Sequence, residues 1–180
     1  MKTLWLVLLF TVSAVAQSRP AEWSTQLTQS MPLLGHRNWI LVVDSAYPLQ
    51  TSPGVETIET NANQLDVVRM VLAKINHSTH VSPTIYMDAE LPYITDADAP
   101  GVSVYRTEVG ELLHDYKIDS MLHEKIISTI DEAGKTFHVL VLKTNMTIPY
   151  TSVFIRLDCK YWNADQEKRL REEMSAESKH

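Results

Sequence analysis

Hydrophobic and polar positions follow one another in blocks along this chain, and the blocks predict strands that alternate with helices. Short continuous apolar runs are typical of strands buried on both faces of a sheet. Runs with apolar residues three and four positions apart are typical of amphipathic helices. The predicted strands are 39–43, 84–87, 137–142 and 152–157, and the predicted helices are 61–75, 104–116, 123–133 and 163–174. This alternation predicts a single-domain α/β protein with a mixed or parallel sheet flanked by helices.

The first residues have the pattern of a secretory signal. Lys2 supplies a positive charge, residues 3–15 are almost wholly apolar, and Ala14-Val15-Ala16 has small residues where a signal peptidase reads them. The apolar run is shorter than the roughly 18–20 residues of a membrane span. We therefore predict a signal peptide at 1–16, export to the periplasm or the cell exterior, and no membrane attachment after cleavage. An uncleaved anchor or a buried helix is the alternative.

The remaining residues divide into three parts. Residues 17–30 are polar and predict a short lead-in, which we call the polar lead-in. The α/β domain is predicted at 31–162, and a charged C-terminal helix and tail at 163–180. The whole chain has 180 residues, and the part that would remain after cleavage at residue 16 is enough for one domain with a core but short for two.

The composition limits which interactions can stabilise the fold and which classes of partner the chain can bind. Cys159 is the single cysteine, so no intrachain disulfide can form, and its position after an apolar strand is typical of a small core residue. The chain has 16 basic and 22 acidic residues and no basic stripe, which argues against nucleic acid and anionic membranes as partners. A neutral small molecule is compatible with this charge balance.

Polar side chains cluster where the predicted strands end. Asp44 ends the first strand, and Asp88 and Glu90 follow the second. Lys143 ends the third strand, and a turn that contains Tyr150 comes soon after it. In open α/β folds, ligands bind outside the carboxyl ends of the strands. The pattern therefore predicts a ligand site at this edge of the sheet, which Asp88 and Glu90 could join.

His36 and Asp44 flank the first predicted strand. A strand of about five residues spans roughly 17 Å, so within one subunit the two side chains are expected at opposite ends of it. They share a pocket only if the chain doubles back or if neighbouring subunits bring them together. The alternative is that both are local residues that bond nearby backbone, while Gly35 provides the tight turn beside the imidazole.

Two segments resemble the ribose pyranase and fucose mutarotase family. One is Leu34-Gly35-His36, an apolar strand and then Asp44-Ser45-Ala46-Tyr47-Pro48. The other is Val139-Leu140-Val141-Leu142-Lys143-Thr144, followed by Pro149-Tyr150-Thr151-Ser152 and an apolar strand. The resemblance runs from about residue 31 to about residue 162 and is closer to the fucose mutarotase branch. It implies that family's α/β fold and a ring-like homo-oligomer such as a decamer, with sites at subunit contacts.

The resemblance also implies an activity. The chain would be a mutarotase-like isomerase that interconverts the anomers of a fucose- or ribose-like pyranose. His36 would be the catalytic acid/base, because an imidazole exchanges protons near neutral pH. The ligand would be a small neutral monosaccharide, and the reaction needs no cofactor and no metal. The implied substrate-binding residues are Asp44, Tyr150, Ser152, Lys143 and His123.

Two positions depart from the family's pattern. Ser152 stands where the family usually has an asparagine, and Asn145-Met146 stands where it usually has a Gly-Glu pair. A hydroxyl reaches less far than an amide, and the loss of a glutamate removes a charged acceptor. The alternative prediction is therefore an exported, non-catalytic monosaccharide-binding protein on the same scaffold.

Overall fold

The apolar run at the first predicted strand forms the centre of a six-stranded sheet. The computed structural model describes residues 22–177. Its strands are β1 (Trp39–Val43), β2 (Val55–Glu59), β3 (Val81–Asp88), β4 (Ile118–Met121), β5 (Val139–Lys143) and β6 (Val153–Cys159). Its helices are α1 (Glu22–Ser30), α2 (Gln64–His77), α3 (Val102–Leu112), α4 (His123–Ala133) and α5 (Ala164–Glu177), with a single 3-10 turn at Leu91–Tyr93.

The strand order in the sheet is β2-β5-β1-β6-β3-β4. β6 runs antiparallel to both of its neighbours, β1 and β3, and the other pairs are parallel. The predicted α/β fold with a mixed sheet is confirmed. Because five strands share one direction, their carboxyl ends lie at one edge of the sheet, and β6 begins at that same edge.

Side chains that alternate along the strands supply two hydrophobic cores, one on each face of the sheet. Ile40 and Val42 point into the core covered by α1, α2 and α3. Trp39, Leu41 and Val43 point into the core on the other face, which α4 covers with Ile126 and Ile130. β1 is therefore buried along its whole length, which explains its continuous apolar sequence.

The polar lead-in contains a helix that the sequence reading did not identify. Within α1, Trp23 and Leu27 are buried in the first core, four residues apart on one face of the helix. Only two apolar anchors lie among polar residues there, so the average composition hides the pattern. β4 was also missed, because Ile118–Met121 lies at the sheet edge and has no buried residue.

The predicted signal peptide at 1–16, residues 17–21 of the polar lead-in and residues 178–180 of the predicted tail lie outside the described residues. Between residues 22 and 177, none of the helices has both the length and the apolar character that crossing a membrane requires. α5 is the charged surface helix that was predicted, and the side chains from Lys168 to Ala176 are exposed.

Candidate functional site

A pocket of about 520 Å³ opens at the carboxyl edge of the sheet. We call it the carboxyl-edge pocket. Residues 44–48 after β1 form one side, and His123 and Ile127 of α4 form the second. Residues 147–150 before β6 form the third. Three of the predicted site residues, Asp44, His123 and Tyr150, therefore line one pocket.

His123 is hydrogen-bonded to a buried carboxylate. Its Nδ1 lies 3.0 Å from Oδ1 of Asp88, whose side chain has no exposed surface. β4 pairs in parallel with β3, and Asp88 is opposite Met121, so the chain places His123 over Asp88 two residues later. An ionised Asp88 requires that Nδ1 carry the proton, which leaves the Nε2 lone pair of a neutral His123 free.

The environment of Asp88 opposes its ionisation. Burial raises the pKa of Asp88 above the ordinary value of 3.8, and the charges of Glu90 and Asp44 act in the same direction. The hydrogen bond and the charge of His123 lower that pKa and partly offset burial. Oδ2 of Asp88 is buried and has no hydrogen-bond partner among the described residues. His123 is thus the one described side chain that bonds this carboxylate, and the two groups act as a pair.

Glu90 fixes the position of His123 from the other side. Both carboxylate oxygens of Glu90 accept from the backbone N–H of His123, each at 3.1 Å. Leu122 precedes α4 and provides no side-chain cap, so Glu90 performs that role from a distant segment and places a negative charge at the start of the helix. The sequence suggested that Glu90 could join a ligand site. In the structure Glu90 instead holds the backbone of His123 and does not line the pocket.

Tyr150 faces His123 across the pocket. The two rings meet edge to face with their centroids 5.2 Å apart. Tyr150 has a φ of 57°, a left-handed conformation that is unusual for a bulky residue. Such conformations concentrate at functional sites, where the surrounding structure holds them in place. The strained turn therefore presents the phenol ring to the pocket.

Two predicted substrate-binding residues, Ser152 and Lys143, lie behind the side chains that line the carboxyl-edge pocket. The hydroxyl of Ser152 is 3.4 Å from Oδ2 of Asp44 and is almost wholly buried. Nζ of Lys143 donates to the backbone oxygen of Tyr47 at 2.9 Å and so holds the turn after β1. Tyr47 is itself buried, and burial together with Asp131, Asp44 and Asp88 raises the pKa of its phenol well above the ordinary range.

A buried polar cluster supports the Tyr150 turn from below, and the sequence reading missed it. The backbone oxygen of Thr151 accepts from the phenol of Tyr105 at 2.6 Å and from the side-chain amide of Gln64. The oxygen of that amide lies 3.2 Å from the hydroxyl of Thr144. Gln64 was detectable, because it is a polar residue on the buried face of α2. Its partners lie up to 87 residues away, and that distance hides them in the sequence.

His36 lies at the other end of β1. Its imidazole Nδ1 is 3.5 Å from Oδ1 of Asp158 at the end of β6, and its side chain is 54% exposed. Within one protomer His36 and Asp44 therefore lie apart, and this separation is what the strand length predicted. The positive φ in this turn belongs to Arg37, at 72°, and Gly35 has no positive φ. Between residues 22 and 177, no group of three or more histidine, cysteine, aspartate or glutamate side chains is arranged to hold a metal.

No protein-family profile and no curated protein sequence matches this chain. Among solved structures it is similar to RbsD of Bacillus subtilis complexed with D-ribose, at 14% identity and a TM-score of 0.52, over 82% of this chain and 96% of RbsD. FucU of Bifidobacterium longum is 15% identical with a TM-score of 0.50, over 73% and 90% of the two chains. The fucose mutarotase of Streptococcus pneumoniae in complex with L-fucose is 16% identical with a TM-score of 0.49, over 73% and 89%. The similarity to RbsD and to FucU confirms the fold that the sequence resemblance implied.

Proposed function

We propose that this protein, which has the RbsD and FucU fold, is a mutarotase-like isomerase that interconverts the anomers of a fucose- or ribose-like pyranose. The main observation behind the proposal is the carboxyl-edge pocket, in which the His123–Asp88 pair faces Asp44 and Tyr150. RbsD, which shares the fold, was solved with D-ribose, and this favours a neutral monosaccharide as the ligand. The apolar N-terminal sequence further leads us to propose that the protein acts after export.

The reaction requires two proton transfers. Opening a pyranose removes the proton of the anomeric hydroxyl, converts its C–O bond to a carbonyl and breaks the bond between the anomeric carbon and the ring oxygen. The ring oxygen then takes a proton. Closure on the other face of the carbonyl reverses each step, so atoms and charges balance and the protein is unchanged. Imidazoles suit both transfers, because each can give or accept a proton near neutral pH.

The residues that line the carboxyl-edge pocket and those directly behind them have distinct proposed roles. Nε2 of His123 contacts the anomeric hydroxyl, while Asp88 holds the imidazole by its other nitrogen. Asp44 accepts hydrogen bonds from sugar hydroxyls, and Ser152 positions Asp44. Tyr150 offers a ring face and a phenol, and Lys143 keeps the turn after β1 in place.

His36 is the proposed acid/base partner, and it acts from a neighbouring subunit. Within one protomer it lies beyond the far end of β1, where it contacts Asp158. A ring-like homo-oligomer, as the sequence resemblance implies, would place His36 of one subunit over the carboxyl-edge pocket of the next. The half-exposed imidazole remains accessible for such a contact.

The proposal is tested by anomer exchange in saturation-transfer NMR on the full chain with D-ribose, L-fucose and D-galactose. We expect exchange faster than in buffer alone, and a loss of about tenfold or more in Asp44→Asn, because a charged acceptor for a sugar hydroxyl is removed. Asp115→Asn is the matched control, since Asp115 is 80% exposed and pairs with the neighbouring His114. An absence of exchange with all three sugars would contradict the isomerase.

One observation favours a second function, a non-catalytic monosaccharide-binding protein. The carboxyl-edge pocket of the protomer forms without His36, so a chain that does not assemble would bind a sugar with one imidazole at hand. Saturable line broadening of the sugar signals without exchange would establish this function.

A further inference from the structure

The connection between β5 and β6 contains the tripeptide Asn145-Met146-Thr147, which we call the Asn145 sequon. An asparagine with serine or threonine two positions later, and any residue except proline between them, is the acceptor sequence for N-linked glycosylation in exported chains. The first two residues of this tripeptide are also the two that depart from the Gly-Glu pair of the family's pattern. The departure that removes a charged acceptor therefore also creates a modification sequence.

Both functional side chains of the Asn145 sequon are accessible. Asn145 and Thr147 are exposed, and among residues 22–177 neither side chain has a hydrogen-bond partner. The backbone of the segment is nevertheless held, because the N–H of Asn145 donates to the oxygen of Ala62 at 3.1 Å. Met146, between the two, packs against the first core. The middle residue thus anchors the segment while the amide and the hydroxyl beside it remain open to solvent.

Asn145 lies on the α2 side of the sheet. Its backbone partner, Ala62, comes two residues before α2 begins. The helix that forms a wall of the carboxyl-edge pocket is α4, which covers the opposite face of the sheet. Thr147 lines that pocket, and Asn145 does not. A bulky, hydrated substituent on Asn145 therefore extends beside α2 rather than over the pocket.

A second tripeptide of the same type, Asn76-His77-Ser78, is engaged in the fold. Nδ2 of Asn76 donates to the phenol of Tyr116 at 2.6 Å. The hydroxyl of Ser78 accepts from the backbone N–H of His80 at 3.2 Å and lies 2.9 Å from the imidazole Nδ1 of the same residue. The amide and the hydroxyl of this tripeptide both have partners, so of the two sequences the structure favours the Asn145 sequon as the acceptor.

We propose that Asn145 is an N-glycosylation site of the exported chain. The co-reactant is a lipid-linked oligosaccharide diphosphate. The amide nitrogen Nδ2 of Asn145 forms a bond to the anomeric carbon of the oligosaccharide, and the bond from that carbon to the diphosphate breaks. The diphosphate leaves with the electron pair of the broken bond and takes up the proton that the amide loses. This modification rests on the proposed export and is independent of the isomerase activity, in which Asn145 has no role.

The test is to express the full chain with its own N-terminal sequence in a eukaryotic secretory cell line and to purify it from the medium. Treatment with a peptide N-glycosidase should lower its mass and convert the acceptor asparagine to aspartate, which peptide mapping should locate at position 145. Asn145→Gln and Thr147→Ala should both lose the glycan at this position. Thr147→Ser keeps the sequon and should retain it.

Two controls separate loss of the acceptor from loss of the fold. Asn76→Gln changes the other tripeptide and should keep the glycan at position 145. Thermal unfolding of Asn145→Gln should match that of the enzymatically deglycosylated parent, because the Asn145 side chain has no hydrogen-bond partner among the described residues.

Two outcomes would overturn the proposal. A secreted chain that is unmodified at position 145 contradicts this site alone and leaves both the export and the isomerase standing. A chain that stays in the cell with Met1 in place contradicts the export and the modification together, and anomer exchange by that chain would still support the isomerase. A glycan at position 145 without any anomer exchange would support the modification and contradict the isomerase.

Discussion

Two histidines lie at opposite edges of the sheet, and they differ in how many contacts hold them within one protomer. At the carboxyl end, His123 is bonded at 3.0 Å to a carboxylate with no exposed surface, and Glu90 fixes its backbone. At the amino end, His36 lies 3.5 Å from Asp158 and is 54% exposed. Folding of one chain completes the first arrangement. The second gains its remaining contacts only from a ligand or another subunit, so the two ends are expected to respond differently to mutation.

The largest effect is expected at the exposed end. His36→Ala should reduce the rate of anomer exchange about 100-fold or more, because a positioned acid/base group is removed. Thermal unfolding should hardly change, since the side chain is half exposed. His77→Ala is the matched control, because His77 is exposed and its imidazole bonds to the backbone oxygen of Ala73 in its own helix. An unchanged exchange rate would show that the carboxyl-edge pocket works alone and that His36 has no catalytic role.

A smaller loss of rate, about tenfold to 100-fold, is expected for His123→Gln, which keeps a hydrogen-bonding group but cannot exchange protons. This variant should also lower stability, because the glutamine is neutral and removes the imidazole charge that partly offsets the burial of Asp88. The measurement combines exchange NMR with thermal unfolding. If His123→Gln were as stable as the parent chain, the contacts of His123 would contribute no more to stability than those of the half-exposed His36, and the expected difference between the two histidines would be wrong.

The buried cluster below the Tyr150 turn is expected to contribute to stability. Tyr105→Phe removes the donor to the backbone oxygen of Thr151 and should lower the free energy of unfolding by about 1–2 kcal/mol. Urea denaturation measures this change. Tyr93→Phe is the control, because Tyr93 is 85% exposed. Equal midpoints for the two variants would show that Gln64 alone holds the turn.

The smallest effect concerns the charge on Asp88. Its pKa is raised in the folded chain by burial, so the folded state binds the proton more tightly than the unfolded state. Stability should therefore fall as pH rises from about 3.8 through the raised pKa. Asp88→Asn removes this dependence and should raise Tm at pH 7 by a few degrees, since its amide oxygen still accepts from His123. A lower Tm would show that the His123 pairing outweighs the burial of the charge.

The sequence predicts the strands and several polar residues at the two edges of the sheet. It does not show the contacts that hold those residues in place. Continuous apolar runs located β1 and β5, and strand-end polarity located Asp44 and Asp88, because parallel strands end at one edge. The Asp88–His123 contact, by contrast, joins residues 35 apart through the pairing of an edge strand that has no apolar pattern. The backbone strain also fell on Arg37 rather than on Gly35, because the antiparallel pairing of β6 draws the Arg37 N–H to Leu157.

Because β6 runs antiparallel to its neighbours, it connects the carboxyl-edge pocket to the surroundings of His36 at the opposite edge of the sheet. Its first residue follows the Tyr150 turn at one edge of the sheet, and Asp158 lies near its last residue at the other. A slip of one residue in its pairing would move both positions together and turn every side chain of β6 to the opposite face. Insertions or deletions within β6 therefore cannot adjust one site alone. Changes in α5, outside the sheet, can remodel the surroundings of His36 while the carboxyl-edge pocket keeps its geometry.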